Sequence, residues 1–186
     1  MITPLSPQAA KTWQLLADRA TAEQNPRLRA NLEVVARHVE AEVRGDVPAL
    51  MATLVAEPRY QVWGASASVG PQGYDEVANF YRAAIEIGKN RLEFEISRVM
   101  VDHHTVLTEG IFRHAYSGAM LTARGHDGLQ DDASIWFLVE YQALIVWPIS
   151  ADGLILGEDM YAGETPRIVR RLGAGELDHL GPVDRA

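Results

Sequence analysis

Cysteine is absent from the 186-residue chain, which removes disulfides, thiolate nucleophiles and thiolate-bound metals at once. No stretch approaches the roughly 18 apolar residues that a membrane-spanning helix needs, and Met1 to Pro7 lacks a charged segment followed by an apolar one. Basic residues are the minority, 17 against 25 acidic ones for a net charge of −8, and none cluster beyond Arg170-Arg171. Phosphate-backbone recognition, and with it nucleic acid as a partner, is therefore not expected. Glycine motifs that cradle nucleotides are missing, as is the G-x-S-x-G elbow of serine hydrolases. The His103-His104 pair beside Asp102 falls in a turn without a third and fourth ligand, so no metal is expected there. His126, Asp127, Asp131 and Asp132 read as solvated loop charge. Together these absences predict a cytoplasmic protein with no cofactor, no nucleic acid partner and no membrane span.

What is present is a normal globular balance, 47% hydrophobic and 23% charged, at a length that suits one domain. Its most telling stretch runs from Ile135 to Pro148, where eleven of fourteen residues are apolar and only Glu140 and Gln142 break the run. An antiparallel strand with water on one face alternates apolar and polar, so this one must be covered on both. A helix or cavity on one side and a second subunit on the other would do so. An Ala151-Asp152-Gly153 turn then leads into a last strand ending near Gly163.

Upstream, Ser6-Pro7 reads as a helix start, with Trp13, Leu15 and Leu16 anchoring a short helix to about Glu23. Leu28, Leu32, Val35, Val39 and Val43 recur at helical spacing and Gly45 closes that helix. Asp46 caps a short helix, Arg59 to Trp63 has strand bias, and Val77, Phe80, Tyr81, Ala84 and Ile85 form a further amphipathic helix. From Arg91 to Asp102 the chain alternates, with Leu92, Phe94, Ile96, Arg98 and Met100 assigned to the inside. A turn returns it as Val106 to Tyr116, and a polar loop at 117–134 is placed to cover the mouth of a site. The expected organisation is an N-terminal extension (1–27), a core (28–163) and a C-terminal tail (164–186) that wraps a partner subunit.

Three segments carry a resemblance: VARHVEAEVRGDVPAL at 35–50, GYDEVANFYR at 73–82 and ADGLILGEDMY at 151–161. They are similar to the first helix ending in Gly-Asp, the Gly-x-x-x-Val-x-x-Phe-Tyr helix and the Asp-Gly last hairpin of the SnoaL-like branch of the nuclear transport factor 2-like superfamily. That resemblance implies an α+β fold, a cone of strongly curved antiparallel sheet wrapped around a helical layer, as in cystatin. It also implies dimerisation through the outer sheet face and a small-molecule site inside the cone. Its enzymes use a desolvated carboxylate or histidine for proton transfer without a cofactor, as isomerases, dehydratases or cyclases of apolar carbonyl-bearing or polycyclic molecules. Other members only bind or assemble, and the fold does not choose between these.

Of the polar residues, Glu158 and Asp159 must face opposite sides of the last strand, and phase with Ile155 and Tyr161 favours Asp159 as the inward acid or base. His114, sharing a face with Phe112 and Tyr116, is either a second proton carrier or a hydrogen-bonded core residue. Tyr81 or Tyr60 would supply the hydrogen bond that steadies an enolate. Trp63, Phe112, Trp136 and His38 are candidates for the pocket lining. Glu140, a carboxylate in an apolar strand, is either part of that lining or an ion-pair partner of Arg113 or Arg98.

Overall fold

A computed structural model describes residues 12–64, 68–173 and 175–179. The Ser6-Pro7 helix start lies outside them. Helix α1 (Gln14–Ala22) packs Leu16 and Ala20 into the main core beside Leu32 and Val35, so this part of the extension is a structural wall of the core. Helix α2 (Pro26–Arg44) opens with Asn25, whose side-chain oxygen accepts from the Arg27 and Leu28 amides. It ends at Gly45 in the left-handed conformation, φ 72°, that glycine adopts without a Cβ penalty. Arg27 donates to the carbonyls of His103, Ser150 and Ala151, tying two hairpin turns to the start of α2. Asp46 caps α3 (Val47–Met51) through the Ala49 amide.

The remaining elements are β1 (Leu54–Gly64), β2 (Ser68–Gln72), α4 (Tyr74–Glu86), β3 (Leu92–Val101), β4 (Thr105–Ser117), α5 (Gly118–Thr122), β5 (Trp136–Pro148), β6 (Ile155–Ala162), β7 (Arg167–Arg171) and α6 (Glu176–His179). The strands form one large curved, unclosed sheet in the order β2-β1-β6-β5-β4-β3, with β7 on the same edge of β5 beyond the reach of β6. Every pairing is antiparallel except β1 with β6, which is parallel. The fold is α+β, with α2 lying across the inner face: Asn31 Nδ2 reaches the Asp102 carbonyl, and Asn90 Nδ2 reaches that of Val43.

Two differences from the sequence reading have local causes. The β3–β4 register shifts between Ile96 and Arg98, so the expected alternation holds only as far as Ile96. Beyond the bulge Val99 and Val101 pack on the core and Met100 points outward, 59% exposed. In β5, Tyr141, Ile145 and Trp147 face inward, whereas the outward Leu138 is covered by the tail itself, against Leu172 and Ala115. The cover assigned to a second subunit is thus supplied at this end by β7 and α6, within the chain.

Candidate functional site

The sheet and helices enclose a cavity of about 570 Å³, within the range of small-molecule sites. Its floor is a layer of rings: Phe94 stacks on Phe112 at 4.1 Å, and Phe112, His114, Tyr141 and Tyr116 continue the layer at 5.3–5.7 Å between centroids. Beside Tyr116 the floor is closed by α5, whose Leu121 packs against Tyr116 and Val139. The β1–β2 hairpin and α4 border the other side, at Val69, Gly70 and Phe80.

At one wall the polar groups converge. Tyr60 from β1, Glu158 from β6 and Tyr81 from α4 line the cavity, and His38 of α2 stands fully buried behind them. Tyr81 donates to Glu158 Oε1 at 2.8 Å, and its oxygen lies 3.1 Å from that of Tyr60. His38 Nε2 is 3.2 Å from both the Tyr81 hydroxyl and Glu158 Oε1. On the other side of the ring, Nδ1 lies 2.7 Å from Thr53 Oγ1.

The protons in this cluster can be assigned by elimination. Thr53 Oγ1 is 2.6 Å from the Leu50 carbonyl, which cannot donate, so the threonine hydrogen is spent there. His38 Nδ1 must then be the donor to Thr53. Nε2 is then the ring atom that faces Glu158 Oε1 and the hydroxyls of Tyr81 and Tyr60. Burial first, and the Glu158 charge second, push both tyrosine hydroxyls well above their ordinary range, so they remain donors.

Of the residues expected from sequence, Tyr60, Tyr81, Phe112 and His114 line the cavity and His38 sits directly behind it. His114 is held neutral, its pKa lowered to about 3 chiefly by burial, and it bonds the Tyr141 hydroxyl at 3.0 Å through Nε2. It is built as a neutral hydrogen-bonding member of the ring layer. Asp159 is on the opposite face of the sheet from the cavity and accepts from Trp63 Nε1 at 3.2 Å; the inward carboxylate is Glu158. The phase argument failed at Gly157, where β1 passes so close that a Cβ would overlap the Arg59 carbonyl oxygen. The strand changes phase there, so Ile155 and Glu158, three apart, both face inward.

Trp63 is likewise outside, stacked on Tyr161 at 6.2 Å. Trp136 packs with Leu138 and Leu172, under the Arg91 guanidinium, instead of in the cavity. Glu140 is buried on the outer side, bonded to Arg113 at 2.9 Å and to Arg167; Arg113 also meets Glu93 and Glu95. Arg98 is paired elsewhere, with Glu109 at 2.8 Å. Two charged cavity groups escaped the sequence reading, Glu42 and Lys89. Glu42 was visible in principle, since it lies three and seven residues after Val39 and Val35 on the apolar stripe of α2.

Among the described residues no helix is long and apolar enough to cross a membrane, and no three metal-ligating side chains converge. No curated protein matches the sequence. Solved structures share the fold. A "putative SnoaL-like polyketide cyclase" from Shewanella putrefaciens CN-32 superposes with TM-score 0.61 at 13% identity, covering 87% of this chain and 92% of that one. A protein of the same description from Jannaschia sp. CCS1 gives 0.57 at 17%, covering 76% and 90%. An epoxide hydrolase of M. tuberculosis gives 0.53 at 20%, covering 74% and 85%. The model of the SnoaL-like domain matches residues 35–130, from the helix that carries His38 and Glu42 through the strand that carries Phe112 and His114. With more than half of its length matched, the chain belongs to the SnoaL-like family of the nuclear transport factor 2-like superfamily.

Proposed function

We propose that the protein is a cofactor-independent acid/base enzyme acting on an apolar, carbonyl-bearing small molecule inside the cone. The observation that carries this reading is the convergence of Glu158, His38, Tyr81 and Tyr60 at one wall of an otherwise apolar cavity. Glu158 presents its carboxylate to the cavity, where it can take a proton from the carbon next to a carbonyl. Tyr81 donates to Glu158, and Tyr60, which lines the cavity as the register partner of Glu158, donates to the oxygen that becomes an enolate. His38 acts as a positioning residue through Glu158, and Thr53 fixes its tautomer. The flat ring layer fits the face of a cyclic substrate.

Isomerisation, dehydration and cyclisation all begin with this proton abstraction. The active species is read as a homodimer joined by the outer sheet face, where Trp63 and Tyr161 are exposed. The test is hydrogen–deuterium exchange at the α-carbons of decalin-2-one in D2O, followed by NMR. Wild type should exchange well above buffer, and Glu158→Gln should lose at least a hundredfold of that rate with its melting temperature unchanged. Tight binding of the ketone without exchange would overturn the reading in favour of a binding module.

A further inference from the structure

We propose that Glu42, with the rings around it, is a subsite for a protonated amine, which makes the preferred ligand of the cavity a cyclic carbonyl compound bearing a basic nitrogen. The carbonyl end of that ligand rests on the reading of Glu158 as the base; the amine end stands on Glu42 and its surroundings. Glu42 follows His38 by one turn of α2 and lies deep in the protein, so that the surface it keeps is cavity wall. The two carboxyl groups of the cavity differ in what they touch. Glu158 has the Tyr81 hydroxyl and His38 against it, whereas Glu42 makes no hydrogen bond or ion pair with any described residue. A polar group left without partners in an apolar cavity is stabilised by what enters.

Among the described residues Lys89 is the only lysine or arginine on the cavity wall, and its ammonium stands over the Phe80 ring at 5.3 Å. It is close enough to lower the Glu42 pKa without pairing with the carboxyl. What surrounds Glu42 instead is aromatic. Tyr60, Tyr81 and Tyr141 are all near enough for their hydroxyls to feel its charge, and Tyr141 belongs to the stacked layer with Phe112 and His114. Ring faces attract a cation and a carboxylate attracts it further, so a carboxyl group set among rings selects an ammonium over a neutral group of the same shape. A hydroxyl could bond one oxygen of Glu42, but it brings no charge to offset the burial of a carboxylate.

The charged and titratable groups that face Glu42 are Glu158 on β6, Lys89 after α4, Tyr60 on β1, Tyr81 on α4 and Tyr141 on β5. Burial first and the Glu158 charge second raise the Glu42 pKa to about 8, against the lowering effect of Lys89. Burial pushes all three tyrosines up as well, so they stay un-ionised. At pH 7 Glu42 is therefore an acid. An entering ammonium ion displaces that proton to solvent and leaves an ammonium–carboxylate pair, so protons and charge balance without a co-reactant. Amine affinity should rise about tenfold per pH unit up to about pH 8 and level off above it.

The experiment is titration calorimetry of the full chain at pH 7 with decahydroquinoline, a bicyclic amine, and with decalin-2-one, its neutral counterpart, each in two buffers of different ionisation heat. Wild type should bind the amine at least tenfold more tightly than the ketone and release close to one proton per amine bound, read as a difference in heat between the buffers. Glu42→Gln should lose at least tenfold of the amine affinity together with the proton release, and should keep its affinity for the ketone, which also shows that it folds. Asp159→Asn, on the outer face, should change none of these. Equal wild-type affinity for amine and ketone would overturn the proposal, as would amine binding that releases no proton or that survives Glu42→Gln unchanged. The base is tested separately, by α-exchange of decalin-2-one. A wild type that exchanges the ketone without preferring the amine loses the subsite and keeps the base; one that prefers the amine through Glu42 without exchange keeps the subsite and loses the base.

Discussion

Tyr60 and Glu158 are register partners on the parallel strands β1 and β6, and their side chains leave the sheet together toward His38. One residue along, Asp159, the register partner of Gln61, leaves on the opposite side and meets Trp63. The parallel pairing therefore decides as a unit which hydroxyl and which carboxylate enter the cavity. It also makes the two tyrosines unequal: Tyr60 stands beside Glu158 on the sheet, whereas Tyr81 reaches Glu158 Oε1 from α4 at 2.8 Å.

From that inequality, Tyr60→Phe should lower the α-exchange rate of decalin-2-one about a hundredfold, the usual loss on removing an oxyanion donor. Tyr81→Phe should cost less, because it frees one lone pair of Glu158 without removing the donor to substrate. NMR exchange rates of the two variants check the order. The reverse order would assign the donor to Tyr81.

Among the described residues Arg113 is the only cation paired with Glu93, and it shares Glu140 with Arg167 of β7. Its removal strands buried carboxylates, which costs about 3–5 kcal/mol. Arg113→Met should show that loss in urea titrations at pH 7. Part of it should return at pH 5, where Glu93, its pKa raised to about 7 chiefly by burial, is protonated. A loss below about 1 kcal/mol at pH 7 would mean that the network is solvated.

The helical stripes, the Gly45 and Asp46 caps, the Asp-Gly turn and the strand at 135–148 were legible because each is a local pattern of spacing and backbone conformation. The side of the last strand was not. It depends on Gly157 lying against Arg59, nearly a hundred residues away, and a one-residue change of phase exchanges Asp159 for Glu158. Trp63 and Trp136 misled for a related reason: aromatic character marks burial or packing, not the face of the sheet. The cover of Leu138 by β7 was hidden because five residues with three arginines resemble a polar tail, and only the open edge of β5 makes them a strand.

Buried ionisable groups also shape stability against pH. Glu42 and Glu93 keep their protons in the folded state to about pH 8 and 7, whereas unfolded glutamates lose theirs near the ordinary value. Between those limits the folded state binds more protons, so stability falls as pH rises. His114 acts in the opposite sense: folded it stays neutral down to about pH 3, so stability falls as pH drops below about 6.5. The windows overlap between about pH 4.5 and 6.5, where two glutamates outweigh one histidine, so melting temperature should peak near the lower end, at about pH 4.5–5. Glu42→Gln should flatten the alkaline side and melt several degrees above wild type at pH 9. Parallel curves for the two proteins between pH 5 and 9 would show that Glu42 is already ionised.

The outer face of the sheet carries an unusual row for a surface. Trp63 stacks on Tyr161, its register partner, and Tyr161 in turn pairs with Leu144, beyond which the row ends in the Glu109–Arg98 ion pair; in the neighbouring row Val146 pairs with Leu107 and Leu107 with Met100. Trp63, Tyr161 and Met100 are 44%, 45% and 59% exposed. An apolar row of this width is costly in water, and a second copy related by a two-fold axis would present the same row to it. A stable interface needs about 800 Å² from each partner, which a sheet face of this kind can supply. Light scattering at micromolar concentration should then give twice the 20.5 kDa chain mass for wild type and the single mass for Trp63→Glu with Tyr161→Glu. Because these side chains point away from the cavity, the double variant should keep its fold and its α-exchange. A monomeric wild type would leave the row without the partner argued for it, and a dimer that survives both glutamates would place the contact elsewhere.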